Sequence, residues 1–169
     1  MNDPRMDRTD LRILALLQED SSRSHADLAE LVHLSPSQCS RRIQRLMAVG
    51  VIRAQVALLD QESVGLGVEA YVRVTLSSYA RDVVTGFHKR IAEMPEIVEC
   101  CAMTGDSDYL IRVLSSNLRA FSRLLNDQLL GHDDVAGVQS SIVLERIKRT
   151  TAVPINDSPV AAQAPPRGT

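Results

Sequence analysis

Hydrophobic positions recur at helical spacing in the first part of the chain and at strand spacing through much of the rest, and this change of period divides the sequence. Leu11, Ile13, Leu14 and Leu17 predict a helix over about residues 8–19, with Asp7 and Asp10 suited to its N-cap or first turn. After the break at Asp20-Ser21-Ser22, Ser24 can cap a second helix with the apolar face Leu28, Leu31 and Val32, running to about His33. Leu34 begins a short turn. Ser35-Pro36-Ser37-Gln38 then reads as a capping box: Ser35 at the N-cap, Pro36 at the first helical position where its missing N–H is no loss, and Gln38 reaching back from the third. This third helix runs to about Val49, and Gly50 supplies the residue past its end. At 100° per residue Cys39, Ile43, Leu46 and Met47 cluster into one stripe, which predicts its buried face. Val51 to Leu59, rich in β-branched and apolar residues, predicts one or two strands.

Beyond residue 60 the period is two. Val68, Ala70, Val72, Val74 and Leu76 alternate with Glu69, Tyr71, Arg73 and Thr75, a strand. Val83, Val84, Phe87, Ile91 and Met94 mark a helix over about 81–93, ended by Pro95. Ile97 to Thr104 and Tyr109 to Leu114 are strands joined by turn chemistry at Gly105-Asp106-Ser107-Asp108, a hairpin. Asn117 caps a helix containing Leu118, Phe121, Leu124, Leu125 and Leu129, and a final strand spans roughly Gly137 to Ile147. The order βαββαβ is that of ferredoxin-like folds. The expected class is therefore α+β, with a three-helix unit ahead of a four-stranded sheet carrying helices on one face. The other sheet face needs a cover, and self-association would supply one. The expected organisation is a helix-turn-helix domain over 1–53, a linker strand and hinge over 54–66, the sheet domain over 67–152 and a disordered tail over 153–169. The stretch from Ala152 onward holds four of the seven prolines and almost no large apolar residue after Ile155.

Composition narrows the function classes. An apolar share of 44% and a charged share of 24% in 169 residues are ordinary for one globular domain or two small ones. No apolar run approaches the ~18 residues that span a bilayer. The start, Met1-Asn2-Asp3-Pro4-Arg5, has no apolar signal core, so the expected location is the cytoplasm and no membrane partner is expected. Three cysteines, with Cys100 and Cys101 adjacent and Cys39 remote, make neither CxxC spacing nor an even framework, so neither zinc nor structural disulfides are expected. The net charge of −2 argues against nucleic acid only as an average. From Leu31 to Leu59 the chain carries Arg41, Arg42, Arg45 and Arg53 and no acid, and local sign sets the field a phosphate backbone meets.

The third helix carries Ser37, Arg41, Gln44 and Arg45 opposite its apolar stripe, with Gln38 beside them and Ser40 and Arg42 on the flanks. A capped, basic, acid-free helix after two short ones describes a helix-turn-helix whose recognition helix enters the major groove of double-stranded DNA by its N-terminal half. Arg41 and Gln44 or Arg45 are suited to base edges; Arg42, Arg53, Ser35 and Ser40 are better placed for phosphates. The competing explanation is a solvated helix face. In the second segment, Thr104-Gly105-Asp106-Ser107-Asp108-Tyr109 combines a flexible glycine, free backbone N–H groups and two carboxylates, which can hold an amino-acid zwitterion, while Ser140 and Ser141 can add hydroxyls. The competing explanation is a turn that uses Gly and Asp for backbone geometry alone. Gly65-Leu66-Gly67-Val68-Glu69-Ala70 matches a dinucleotide fingerprint but precedes a strand instead of opening a helix. Nothing resembles a GxSxG elbow, a P-loop or a paired-histidine metal motif, so no enzyme activity and no cofactor are expected.

Taken in order, these residues resemble the Lrp/AsnC, or feast–famine, family of transcription regulators. Asp7-Arg8-Thr9-Asp10-Leu11-Arg12-Ile13-Leu14 resembles its start, Leu34-Ser35-Pro36-Ser37-Gln38-Cys39 with Arg41-Arg42 its recognition-helix entry, and Gly50-Val51-Ile52 its turn into the linker. Pro95 to Cys100, Thr104 to Tyr109, and Ser140-Ser141 with Lys148 to Ala152 resemble its effector domain. The resemblance implies a winged or linker-extended helix-turn-helix and an amino-acid-sensing sheet domain. It also implies dimers through the sheet domains that assemble to tetramers or octamers, with the effector bound at contacts between dimers. Carried over, Met103, Thr104, Gly105, Asp106, Ser107, Asp108 and Tyr109 form the main ligand wall and Gln139, Ser140 and Ser141 a weaker one. Gln38 stands where the family often has a small residue, which implies a shifted base preference. The expected function is a sequence-specific DNA-binding regulator responsive to an amino acid; the alternative is a ligand-indifferent architectural DNA-binding protein.

Overall fold

A computed structural model describes residues 6–155. The described residues fall into two compact units: one takes the chain up to Ala57 together with the segment from Lys148 onward, the other Leu58–Ile147.

The helical unit contains α1 (Arg8–Glu19), α2 (His25–Leu31) and α3 (Pro36–Ala48). Each begins with a reciprocal capping box: Asp7 with Asp10, Ser24 with Asp27, and Ser35 with Gln38. Both α2 and α3 end in a Schellman turn. In the first, Leu34 N–H donates to Ala29 O (2.9 Å) and His33 N–H to Glu30 O (3.2 Å); in the second, Val51 N–H donates to Leu46 O and Gly50 N–H to Met47 O, both at 3.0 Å. Gly50 takes the left-handed position of its turn at φ 76°, and His33, carrying a side chain, takes the same position at φ 55°. The first turn stops α2 and re-aims the chain into α3 through backbone hydrogen bonds, and the second stops α3. The core is aliphatic plus one thiol: Ile13, Leu16, Leu28, Ala29, Cys39 and Ile43.

Three expectations are corrected in this unit. Met47, assigned to the buried stripe of α3, is 40% exposed, and Leu31 of α2 is 44% exposed, because each lies at a helix end past the last neighbour that could cover it. Val51 to Leu59 forms no strand: nothing pairs with it, and Val56, Leu58 and Leu59 face outward. Of the two forms the family resemblance allowed, this is the linker-extended one. Residues 153–155, assigned to a disordered tail, lie against α1: the Gln18 side chain donates to Val153 O (3.1 Å) and accepts from Val153 N–H (2.7 Å), as a neighbouring strand would. The rest of the expected tail lies outside the described residues.

The second unit contains β1 (Val68–Leu76), α4 (Arg81–Ala92), β2 (Ile97–Ala102), β3 (Tyr109–Ser115), α5 (Leu118–Arg123) running into a π-helical segment (Leu124–Leu130), and β4 (Val135–Ile142). The sheet is antiparallel in the order β2-β3-β1-β4. Alternation places Ala70, Val72, Val74 and Leu76 of β1 and Tyr109, Ile111 and Val113 of β3 on the buried face, against Phe87 and Ile91 of α4, Phe121 of α5, and Leu124 and Leu129 of the π segment. Leu124 and Leu129 are five residues apart, and the wider π turn brings both onto the sheet where an α-helix would swing one aside. Arg90 of α4 makes a two-pronged pair with Asp134 at 2.7 and 2.8 Å, clamping that helix to the chain entering β4. The last strand is shorter than expected: Val143 N–H makes one more bond to Glu69 O (2.9 Å), after which Leu144 (98% exposed) and Ile147 (85%) have no strand to meet.

Candidate functional site

The outer surface of α3 is built by its period. Ser37, Arg41, Gln44 and Ala48, spaced 4, 3 and 4 apart, are exposed along one stripe, while Cys39, Ile43 and Leu46 are buried on the other. The side chains of Arg41 and Gln44 have no hydrogen-bond or ion-pair partner among the described residues, and Gln38 is exposed beside them. Ser35 and Gln38 are occupied in part by the cap: Ser35 Oγ accepts from Gln38 N–H (3.3 Å), Gln38 Oε1 accepts from Ser35 N–H (3.1 Å), and Ser37 Oγ lies 3.1 Å from Ser35 Oγ. Ser40 is half-buried on the flank, and Arg53 is exposed beyond the helix end.

Arg42 and Arg45 have partners on α1. Arg42 Nη1 donates to Asp7 Oδ2 (2.7 Å) and Asp10 Oδ1 (2.8 Å), and Arg45 Nη2 donates to Asp10 Oδ2. Asp10 is fully buried at 0% exposure, and its Oδ2 also accepts from Asp7 N–H (3.1 Å). Its role had a signal in the sequence: Asp10 stands three and seven residues before Ile13 and Leu17, on the apolar face of α1, and an acid on a buried face needs a cation.

The second candidate site is the β2–β3 loop. Met103, Thr104, Gly105 and Asp106 are exposed, Ser107 and Asp108 half-buried, and Gly105 holds φ 110°, a backbone position that favours glycine. The N–H groups of Thr104, Gly105, Asp106 and Ser107 donate to no group among the described residues, and the Asp106 carboxylate is unpaired. Asp108 is used differently. Its Oδ2 accepts from Leu76 N–H and its Oδ1 from the Tyr79 hydroxyl, both at 2.7 Å, while its own N–H donates to Val74 O (3.0 Å). It therefore fastens the loop to the end of β1, and its hydrogen bond raises the Tyr79 phenol above its ordinary value. Tyr79 had no motif to mark it in the sequence. Tyr109 turns inward, its ring 4.8 Å from Phe87 and its hydroxyl 2.8 Å from His88 Nε2.

Gln139, Ser140 and Ser141 are exposed on the edge strand β4, opposite Arg73, Val72 and Tyr71 of β1. They are not brought against the loop. Tyr109 pairs with Val74, and Val74 pairs with Val138, so β1 lies between them. Gln139 and Ser141 share the open sheet face with Glu69, Tyr71 and Arg73, and Ser140 faces the helix side.

That open face carries a buried acid. Glu69 accepts from Arg112 Nε and, at 3.3 Å, from Gln61 Nε2, and forms an ion pair with Arg146. Burial works to raise its carboxyl, but the Arg146 and Arg112 contacts prevail and hold it below its ordinary value. Asp7 is lowered too: the Asp10 amide and the Arg42 guanidinium outweigh its burial. A carboxylate depressed by folding stabilises the fold above its unfolded pKa and loses that contribution as pH falls through the folded one. Melting temperature is expected to hold from neutrality to about pH 5 and then to fall through the carboxylate range, and a Glu69→Gln variant should show a shallower acid decline in the same thermal scans.

Among the described residues no group of three or more His, Cys, Asp or Glu is arranged to hold a metal ion, and no helix is long and apolar enough to cross a membrane.

A capped three-helix unit with a bare polar stripe centred on Arg41, joined to a βαββαβ sheet, is the build of a DNA-binding regulator with a sensor domain. Residues 6–47 match the AsnC-type helix-turn-helix domain and residues 69–153 the Lrp/AsnC ligand binding domain, and the chain belongs to the Lrp/AsnC family of transcriptional regulators. It is 35% identical over 150 residues to the DNA-binding transcriptional activator DecR of Escherichia coli (89% of this chain, 99% of that one). To the transcriptional regulator AzlB of Bacillus subtilis it is 33% identical over 152 residues (90% and 97%). Among solved structures, the Neisseria meningitidis regulator NMB0573 in complex with L-Met superposes with a TM-score of 0.86 at 42% identity, covering 89% of this chain and 97% of that one.

Proposed function

We propose that this regulator takes an amino acid as its effector, at the Met103–Asp108 loop, and works as a homodimer assembled to a tetramer or octamer in the cytoplasm, without a catalytic step. One observation carries the effector assignment. The loop leaves the N–H groups of Thr104 to Ser107 and the Asp106 carboxylate without partners, a pairing suited to the carboxylate and ammonium ends of a zwitterion. The L-Met complex of the Neisseria regulator supports an amino acid and makes methionine the first to test. Because the loop is open along its exposed side, and Gln139 and Ser141 stand apart from it within one chain, the remaining wall comes from a second copy. Occupied, such a contact changes the spacing of the α3 pairs, and DNA affinity follows the assembly that the effector favours.

Calorimetric titration with a panel of amino acids, L-Met first, followed by sedimentation, tests this. Heat together with a shifted oligomer profile supports the sensor; silence across the panel favours the ligand-indifferent architectural protein. In the same titration Asp106→Ala is expected to weaken effector binding by about tenfold or more, the loss of one charge-assisted hydrogen bond. Its effector-free footprint on DNA should stay intact, since Asp106 supports nothing else among the described residues. A variant that loses DNA binding outright would assign the loop to assembly.

A further inference from the structure

The three arginines of α3 have separate fates. Arg42 and Arg45 meet Asp7 and Asp10 across the α1–α3 contact, so two cations and two anions form a cluster with no net charge. The carboxylate at its centre, Asp10, is fully buried. A buried carboxylate does not readily give up its cations, because releasing them leaves an uncompensated charge away from water. Arg41 points the other way, exposed and unpaired, one helical turn from Ser37 and next along the stripe to Gln44. By spacing alone Arg45, four residues after Arg41, would belong to the same outward face; its contact with Asp10 draws it off.

We infer that Asp10 is a positioning residue for DNA recognition: it holds Arg42 and Arg45 away from the phosphate backbone, orients α3 through them, and leaves base reading to the Ser37–Arg41–Gln44 stripe. This rests on α3 being the helix that reads DNA. Arg42 and Arg45 are then internal counter-ions and not phosphate contacts, and the charge that α3 offers the duplex is that of Arg41. Without Asp10, Arg45 loses its partner and becomes a free cation beside the groove while Arg42 keeps Asp7, which favours indiscriminate binding over selective binding.

Salt dependence separates this role from a merely structural one, because each phosphate contact adds about 0.9 to the slope of log K against log salt. The probe is the duplex that the wild-type protein enriches from a random-sequence library, with a scrambled duplex as reference. Arg42→Gln and Arg45→Gln are expected to leave the slope unchanged; Gln can still donate to the carboxylate. Asp10→Asn, which frees Arg45 alone, is expected to steepen the slope by about 0.9 and to narrow the gap between enriched and scrambled duplex. Arg41→Gln is expected to lower that gap about tenfold, the scale of one bidentate base contact. A slope reduced by about 0.9 in either Arg42→Gln or Arg45→Gln overturns the inference, as does a folded Asp10→Asn variant with the wild-type slope. If Asp10→Asn does not fold by circular dichroism, the two arginine variants decide. Failure of the wild-type protein to enrich any duplex refutes α3 as the reader, which is a different result.

Discussion

Asp10→Ala is expected to destabilise the helical unit by about 3 kcal/mol, the low end of the range for removing one partner of a buried ion pair. Three contacts disappear together: the bonds from Arg42 and Arg45, and the return half of the α1 capping box from Asp7 N–H. The arginines left behind are each about 30% exposed (30% and 28%), so water recovers part of their solvation, which keeps the loss from the top of the range. Hydrogen exchange checks it: amides of α1 and α3 should lose protection by a factor of about a hundred, as 1.4 kcal/mol is tenfold. A loss under about 1 kcal/mol would mean that the arginines stand without Asp10, the range of an exposed pair.

Phe87→Ala is expected to remove about 3–5 kcal/mol from the sheet unit. Phe87 is fully buried between α4 and the sheet, its ring beside Tyr109, with the Arg90 guanidinium carbon 5.6 Å from its centre. Alanine would leave a cavity at the point where Tyr109 leaves the β2–β3 loop and where Arg90 is aimed at Asp134. Loss of support is therefore expected to reach the loop as well as the core, and chemical denaturation with effector titration would register both. Each unit has its own buried cluster, so amide protection in α1 and α3 should stay close to wild type in this variant, and that of the sheet should stay close in Asp10→Ala.

The sequence carried the local structure where one force acted alone. Ser35-Pro36-Ser37-Gln38 forms the expected capping box because its partners are three residues apart, and β1 lies where alternation put it because one side of the sheet is covered. What a second chain segment decides was harder to see. Val51 to Leu59 has strand composition but no ladder partner, and a strand exists only as a pair. Leu124 to Leu130 carries a helical signature, yet its turn widens to bring two leucines onto the sheet. The same holds at the sites. The stripe of Ser37, Arg41 and Gln44 follows from period, but the diversion of Arg42 and Arg45 depends on acids 32 and 35 residues away, and the fastening of Asp108 on Leu76 and Tyr79.

The contact between Gln18 and Val153 joins residues 135 positions apart. Made at about 5–20 residues per second, the chain exposes Gln18 on the order of ten seconds before Val153 exists. During that interval α1, α2 and α3 already have their caps and their buried cluster, and α3 is complete before the sheet unit has been synthesised. A stalled or truncated product would carry the three helices without this strap. The Gln18–Val153 clasp thus closes only after the sheet unit between its two ends has been made.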